Sequence, residues 1–176
     1  MKEILVLDIA TFNKSIHLRE LSENEFRELI HNDSNSQSAK AMLNTSKEYE
    51  QKAQRLIERY KSPARSFGLY DNKNYIGYIS FGEYECSSPE IQIEIQENYQ
   101  NCGIGYNALS FLIAEVFRQR EDIKYFIYYV RADNIASVKL VEKLGGKCVK
   151  QGDFIEYLIL KYHIMRDKFN FAFKID

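Results

Sequence analysis

The sequence predicts a mixed α/β fold, with a central sheet that is antiparallel in its N-terminal half, gains one parallel crossover further on, and is flanked by helices. Three observations predict it. Strand-like runs at residues 66–70, 75–83 and 91–95 follow one another across turn residues, which is the pattern of an antiparallel meander. A strand, a glycine-containing loop, a helix and another strand then succeed each other between Ile91 and Val130, and such a unit joins parallel strands by a crossover. A further helix and strand complete the chain.

Taken in order, residues 4–9 read as a short strand and 15–21 as a second. Ser22-Glu23-Asn24-Glu25 opens a helix by the capping-box pattern, with Phe26, Leu29 and Ile30 on one face. Residues 32–37 carry turn chemistry, and 47–60 form a polar helical stretch stopped by Ser62-Pro63. The meander follows, its first turn at Asp71-Asn72-Lys73-Asn74 and its second at Ser87-Ser88-Pro89. In its last strand Ile91, Ile93 and Ile95 alternate strictly with Gln92 and Glu94, the period-two mark of one buried face. From Ile104 the apolar residues Leu109, Leu112, Ile113, Val116 and Phe117 take helical spacing. A strand at 125–130, a helix after Asn134 and a strand at 155–162 come next. In the tail, Phe169, Phe171, Phe173 and Ile175 alternate with polar or small residues, so 163–176 reads as a strand that packs on the domain or across a homodimer interface.

The chain has 176 residues, 45% of them hydrophobic and 28% charged, which suits one soluble domain spanning 1–176 with an N-terminal extension at 1–14. A net charge of −1 gives no electrostatic footprint for nucleic acid. Cys86, Cys102 and Cys148 are odd in number and lack metal-ligand spacing, so they read as reduced thiols and no metal is expected. The N-terminus lacks a secretory pattern and no run reaches membrane-spanning length; the expectation is a cytoplasmic protein with no membrane partner.

The most informative segment is Gln100-Asn101-Cys102-Gly103-Ile104-Gly105, between a strand and a helix start. Unpaired N–H groups and the positive end of a helix dipole suit a phosphate there, and glycine removes the Cβ from the ligand's path. A P-loop is excluded, because Gly105 is followed by Tyr106 and Asn107 instead of Lys and Ser or Thr. A Rossmann-type nucleotide site would accept Ala108 at its third glycine, but also needs an acidic residue at the end of the next strand, which here ends in Arg131, Ala132 and Asp133.

Gln100, Gly103 and Gly105 match residue for residue the Gln/Arg-x-x-Gly-x-Gly/Ala motif A of the GNAT superfamily of acyl-CoA-dependent N-acyltransferases, which the segment resembles. Asn134-Ile135-Ala136-Ser137, continuing to Glu142-Lys143-Leu144-Gly145, is similar to the family's motif B. With Ile16-His17-Leu18-Arg19-Glu20-Leu21 the resemblance extends over residues 15–162, nearest in pattern to Rim-type ribosomal-protein and small-molecule acetyltransferases. It implies a GNAT-like fold, acetyl-CoA as cosubstrate, and transfer to a primary amine of a small molecule or a protein N-terminus by direct attack in a ternary complex.

The resemblance also implies where the donor lies. Gln100, Asn101, Cys102, Gly103, Ile104 and Gly105 would hold the pyrophosphate, and the main chain of Ile95 and Glu97 would pair with the pantetheine arm like an added strand. Asn134 would bond the pantetheine or its thioester end, with Ser137 nearby, and Asn107 would contribute at the helix edge. An attacking amine must lose a proton, and Glu94 and Glu90, four residues apart on the face opposite the isoleucines, are the candidate bases, Glu94 first. Two positions depart from the family. Gly146 stands where an aromatic is usual, and Val141 where many members carry the tyrosine that protonates the CoA thiolate. Tyr84 and Tyr129 are the replacements by residue type, and nothing in the sequence selects one. The alternatives to catalysis are a noncatalytic acyl-CoA-binding or regulatory protein and, after it, the Rossmann-type binder.

Overall fold

A computed structural model describes residues 4–9, 14–33 and 64–161. Among these residues eight strands form one sheet: β1 Ile4–Ile9, β2 Lys14–Leu21, β3 Arg65–Asp71, β4 Asn74–Gly82, β5 Glu90–Ile95, β6 Tyr125–Arg131, β7 Lys147–Lys150 and β8 Phe154–Leu160. Their order is β1-β2-β3-β4-β5-β6-β8-β7. The described helices are α1 Glu23–Asp33, α2 Ile104–Gln119 and α3 Ile135–Lys143. Neighbours from β1 to β5 are antiparallel, β5 and β6 are parallel, and β6, β8 and β7 are antiparallel again. The mixed sheet expected from the sequence is therefore present, with α2 as the crossover.

Two faces of the sheet are covered differently. Ile16, Leu18, Phe67, Leu69, Ile79, Phe81, Ile91 and Phe126 are buried on one face under Ala108, Leu109, Leu112, Ile113, Val116 and Phe117 of α2. Phe117 and Phe126 meet ring to ring at 4.7 Å. On the other face α1 lays Phe26 against Leu21 and Tyr78, the two rings edge-to-face at 5.2 Å.

The capping box that starts α1 forms as read. Ser22 N and Ser22 Oγ both donate to Glu25 Oε2, at 2.8 and 2.6 Å, and Arg19 Nη1 holds the other carboxylate oxygen at 2.8 Å. A Ser22→Ala chain is expected to lose about 1 kcal/mol of stability. The loss should appear as a lower denaturant midpoint with an unchanged slope.

The structure departs from the sequence reading in three places. Helix α1 runs on to Asp33, so the turn chemistry that begins at Asn32 starts inside the last helical turn. Strand β7 has no alternation to announce it: Lys147, Cys148, Val149 and Lys150 are all exposed, and the segment is a strand because it pairs with β8. A short 3-10 turn, Glu97–Tyr99, separates β5 from the glycine loop. The expected helix at 47–60 and the tail at 163–176 lie outside the described residues. No helix among the described residues is long and apolar enough to cross a membrane.

Candidate active site

The site begins with a failure of strand pairing. Strands β5 and β6 are joined only through Glu90↔Ile127 and Ile91↔Tyr128, whereas β5 stays paired with β4 as far as Ile95. Past Ile91 a split opens between them. Gln96 N donates to Ile76 O on the β4 side at 2.8 Å, and Pro89 O accepts from Ile127 N on the β6 side at 3.0 Å. Backbone directions alternate along a ladder, so Ile93 and Ile95 turn their N–H and C=O groups into the split. An extended ligand carrying amides can pair there as a strand would.

The glycine loop stands at the mouth of this split. Tyr99 OH donates to buried Asp71 at 3.3 Å, tying the 3-10 turn to the end of β3. Gln100 Nε2 donates to Ile95 O at 2.7 Å, closing the corner between strand and loop. Asn101 and Gly103 follow with positive φ, 59° and 79°. Helix α2 then starts from Gly103 without a side-chain cap and without an acidic residue in its first turn, the kind of helix start whose leading N–H groups suit an anion.

The two motif glycines answer different demands. Gly103 is the residue in the left-handed region, where a Cβ is penalised. Gly105 faces inward: a Cβ there would lie 3.0 Å from Ile95 Cδ1 and 3.5 Å from Ile93 Cδ1. Its role is to let α2 settle on β5, which corrects the reading of both glycines as clearance for a ligand. Asn107 turns its side-chain amide to Gly103 O at 3.0 Å, and Cys102 Sγ donates to Gln100 O at 3.2 Å. Glu97 belongs to the 3-10 turn, its carbonyl accepting from Gln100 N, so β5 itself stops at Ile95.

Register fixes the carboxylates. Glu94 lies opposite Tyr78, which packs against α1, so Glu90, Gln92 and Glu94 share the α1 face while Ile91, Ile93 and Ile95 pack under α2. Glu94 stands beside the open split, whereas Glu90 lies where β5 and β6 are still paired and accepts a long 3.5 Å contact from Gln92. The strand β4 approaches unusually closely here. A Cβ on Gly77 would fall 2.2 Å from Glu94 O, so Gly77→Ala is expected to cost roughly 1–3 kcal/mol through overpacking. A thermal melt will read that cost.

On the far side of the split, Asn134 caps α3 by accepting from Ser137 N at 3.1 Å, and Ser137 Oγ lies 2.7 Å from Tyr128 OH. Tyr128 is buried, and burial pushes its hydroxyl above the ordinary tyrosine range against the opposing pull of Ser137. Val141 is fully buried in the core. Helix α3 ends in a Schellman turn, with Gly146 N on Val141 O and Gly145 N on Glu142 O, each at 2.9 Å. A Cβ on Gly146 would meet Val141 Cγ2 at 2.7 Å, so the two departures from the motif sit against each other. Tyr84 is placed at the opposite end of β5, its ring between Arg65 and Arg120. Tyr129 is exposed, and alternation turns it away from the Tyr128 face. Tyr128 and Ser137 form a part-buried hydroxyl pair beside the split, and nothing in the strand pattern announces it.

With this geometry in hand, comparison with known proteins is decisive. A family model described as an acetyltransferase (GNAT) domain matches residues 15–147. The chain belongs to the GNAT acetyltransferase family. It is a GNAT-type N-acetyltransferase, and acetyl transfer to amines is the activity of its class. GNAT acetyltransferases use acetyl-CoA. No curated protein matches the chain by sequence. Among solved structures, the chain is similar to the spermidine N-acetyltransferase from Vibrio cholerae in complex with CoA and spermine, at 21% identity and a TM-score of 0.61 over 85% of this chain and 98% of that one. It is also similar to RimL, the ribosomal L7/L12 alpha-N-protein acetyltransferase, at 19% identity and a TM-score of 0.61 over 89% and 94% of the two chains. Mycobacterium smegmatis RimJ in complex with CoA-disulfide aligns with a TM-score of 0.64 at 12% identity, over 93% of this chain and 91% of that one. These likenesses carry the GNAT fold. The Rossmann alternative falls with it, since a doubly wound sheet needs successive parallel strands and β5–β6 is the parallel pair here. Among the described residues no group of His, Cys, Asp and Glu gathers as a metal site.

Proposed function

We propose that this GNAT enzyme binds acetyl-CoA with its pyrophosphate on residues Gln100 to Gly105 and its pantetheine along Ile95 in the β5–β6 split, and that an amine entering from the α1 face attacks the thioester directly. The split carries this reading: strand edge and uncapped helix start converge on one extended, anionic, amide-bearing ligand. Asn134 and Ser137 close the far side of the arm. Glu94 takes the proton that the incoming ammonium must lose, directly or through water, and Glu90 is the second carboxylate on that face.

A primary amine of a small molecule or of a protein N-terminus is the acceptor class, and the reaction is placed in the cytoplasm. The structurally similar proteins include enzymes named for spermidine and for a ribosomal protein, and a Vibrio cholerae spermidine N-acetyltransferase described as dodecameric. A homo-oligomer is the corresponding expectation here.

Calorimetry with acetyl-CoA, CoA and NAD tests the donor. Binding of CoA without NAD is expected, and NAD binding without CoA would sink the proposal. CoA release across polyamines, aminoglycosides, amino acids and ribosomal peptides then identifies the acceptor. CoA binding with no release for any amine would point to an acyl-CoA-binding role instead.

A further inference from the structure

We infer that Asp71 is a positioning residue for the donor: from the end of β3 its buried carboxylate holds Tyr99, and through Tyr99 it fixes the loop that receives the pyrophosphate. The inference rests on the donor site proposed above. Among the described residues Asp71 is the charged side chain that is buried, at 4% exposed, and the proposed acetyl transfer leaves it unused. A buried carboxylate costs stability unless donors surround it, so its partners tell what it serves. One is local. Asn72 Nδ2 donates to Oδ1 at 3.1 Å within the β3–β4 turn, where Asn72 itself takes a positive φ of 57°. The other is distant in sequence: Tyr99 OH donates to Oδ2 at 3.3 Å, 28 residues along.

Tyr99 closes the 3-10 turn and directly precedes Gln100, and its ring lies against the main core. The turn carries two backbone bonds, Tyr99 N to Gln96 O at 2.8 Å and Gln100 N to Glu97 O at 3.1 Å, so a movement of Tyr99 passes directly to Gln100. Gln100 in turn holds Ile95 O at 2.7 Å, which joins the phosphate loop to the strand edge proposed for the pantetheine. Beyond it the chain enters the left-handed conformations of Asn101 and Gly103. Peptides beside such residues reaim their N–H groups by small rotations, and an anion is held tightly when those groups are aimed before it arrives. The bonds from Cys102 Sγ to Gln100 O and from Asn107 Nδ2 to Gly103 O lie within the loop and the helix it starts. Tyr99 with Asp71 anchors that unit to the β3–β4 hairpin.

The test is calorimetry of CoA binding to the full chain, at a temperature where circular dichroism shows each variant folded. Tyr99→Phe keeps the ring and removes the bond, and should raise the CoA Kd about tenfold, the scale of one hydrogen bond to a charged group. Asp71→Val should do the same, and adding Tyr99→Phe to it should lose nothing further, because both substitutions remove one bond. Asp71→Asn keeps an oxygen that accepts the tyrosine proton and should stay within about threefold of the wild type. Acetyl-CoA KM should rise with the Kd while kcat at saturating donor is unchanged. A tyrosine with a merely structural part would lower the melting temperature and leave the Kd of the folded chain alone. If Asp71→Val fails to fold, Tyr99→Phe and Asp71→Asn supply the comparison. A wild-type Kd in Tyr99→Phe, or losses that multiply in the double variant, overturns this inference alone. Absence of CoA binding in the wild type overturns the donor site with it.

Discussion

Glu94→Gln is expected to lower acetyl transfer by about 10²–10³-fold, within the range of a lost general base, while CoA affinity is unchanged. The amide keeps the size of the carboxylate and removes its capacity to take a proton from the incoming ammonium. The expectation follows from register. Glu94 is held opposite Tyr78 on the α1 face and beside the split, close to where a thioester between β5 and β6 would present its carbonyl. Glu90 shares that face but stands where the strands are still joined, so Glu90→Gln should have the smaller effect. Steady-state kinetics with a saturating amine and separate calorimetry for CoA distinguish chemistry from binding. Full activity in both variants would remove these carboxylates from the mechanism.

The second large effect concerns the donor. Gly103→Val should weaken CoA binding by about tenfold or more, because a left-handed conformation costs an L-residue roughly 1–2 kcal/mol and a β-branched one more. The chain can relieve that strain only by turning the peptide that leads into α2, which reaims the first-turn N–H groups away from the pyrophosphate. Gly105→Val is the contrasting variant. Its methyls would press on Ile95 and Ile93, so its cost should appear first in thermal stability. Equal CoA affinity in Gly103→Val and the wild type would mean that the loop does not bind the anion.

What could be read in advance was what the chain writes locally. The alternation at Ile91, Ile93 and Ile95, the Ser22–Glu25 capping box and the Gln100–Gly105 loop each occupy a few consecutive residues, and each appears as a strand, a cap and a helix start. What was not legible depends on distant partners. Strand β7 exists through β8, and no periodicity marks it. The parting of β5 from β6 after Ile91 is a fact of register between segments more than thirty residues apart, about which neither strand's composition says anything. The same holds for the aromatic residues. Tyr84 and Tyr129 were equal in the sequence, and tertiary placement sends one to the far end of β5 and the other to an exposed face, while Tyr128, two hydroxyls away from notice in a row of tyrosines, meets Ser137. Residue roles within the motifs were only half visible: Gly105 is explained by Ile95, which precedes it by ten positions.

The two-pair ladder between β5 and β6 also divides the sheet mechanically. Among the described residues, five strands lie on one side of it and three on the other, with Glu90↔Ile127 and Ile91↔Tyr128 as the strand-to-strand seam between them. A donor lodged in the gap would act as a keystone, joining two wings that otherwise meet along a short hinge. Saturation with CoA should then slow amide hydrogen exchange in β6 and β8 as well as in the loop that grips the phosphates, and raise the melting temperature of the chain as one unit.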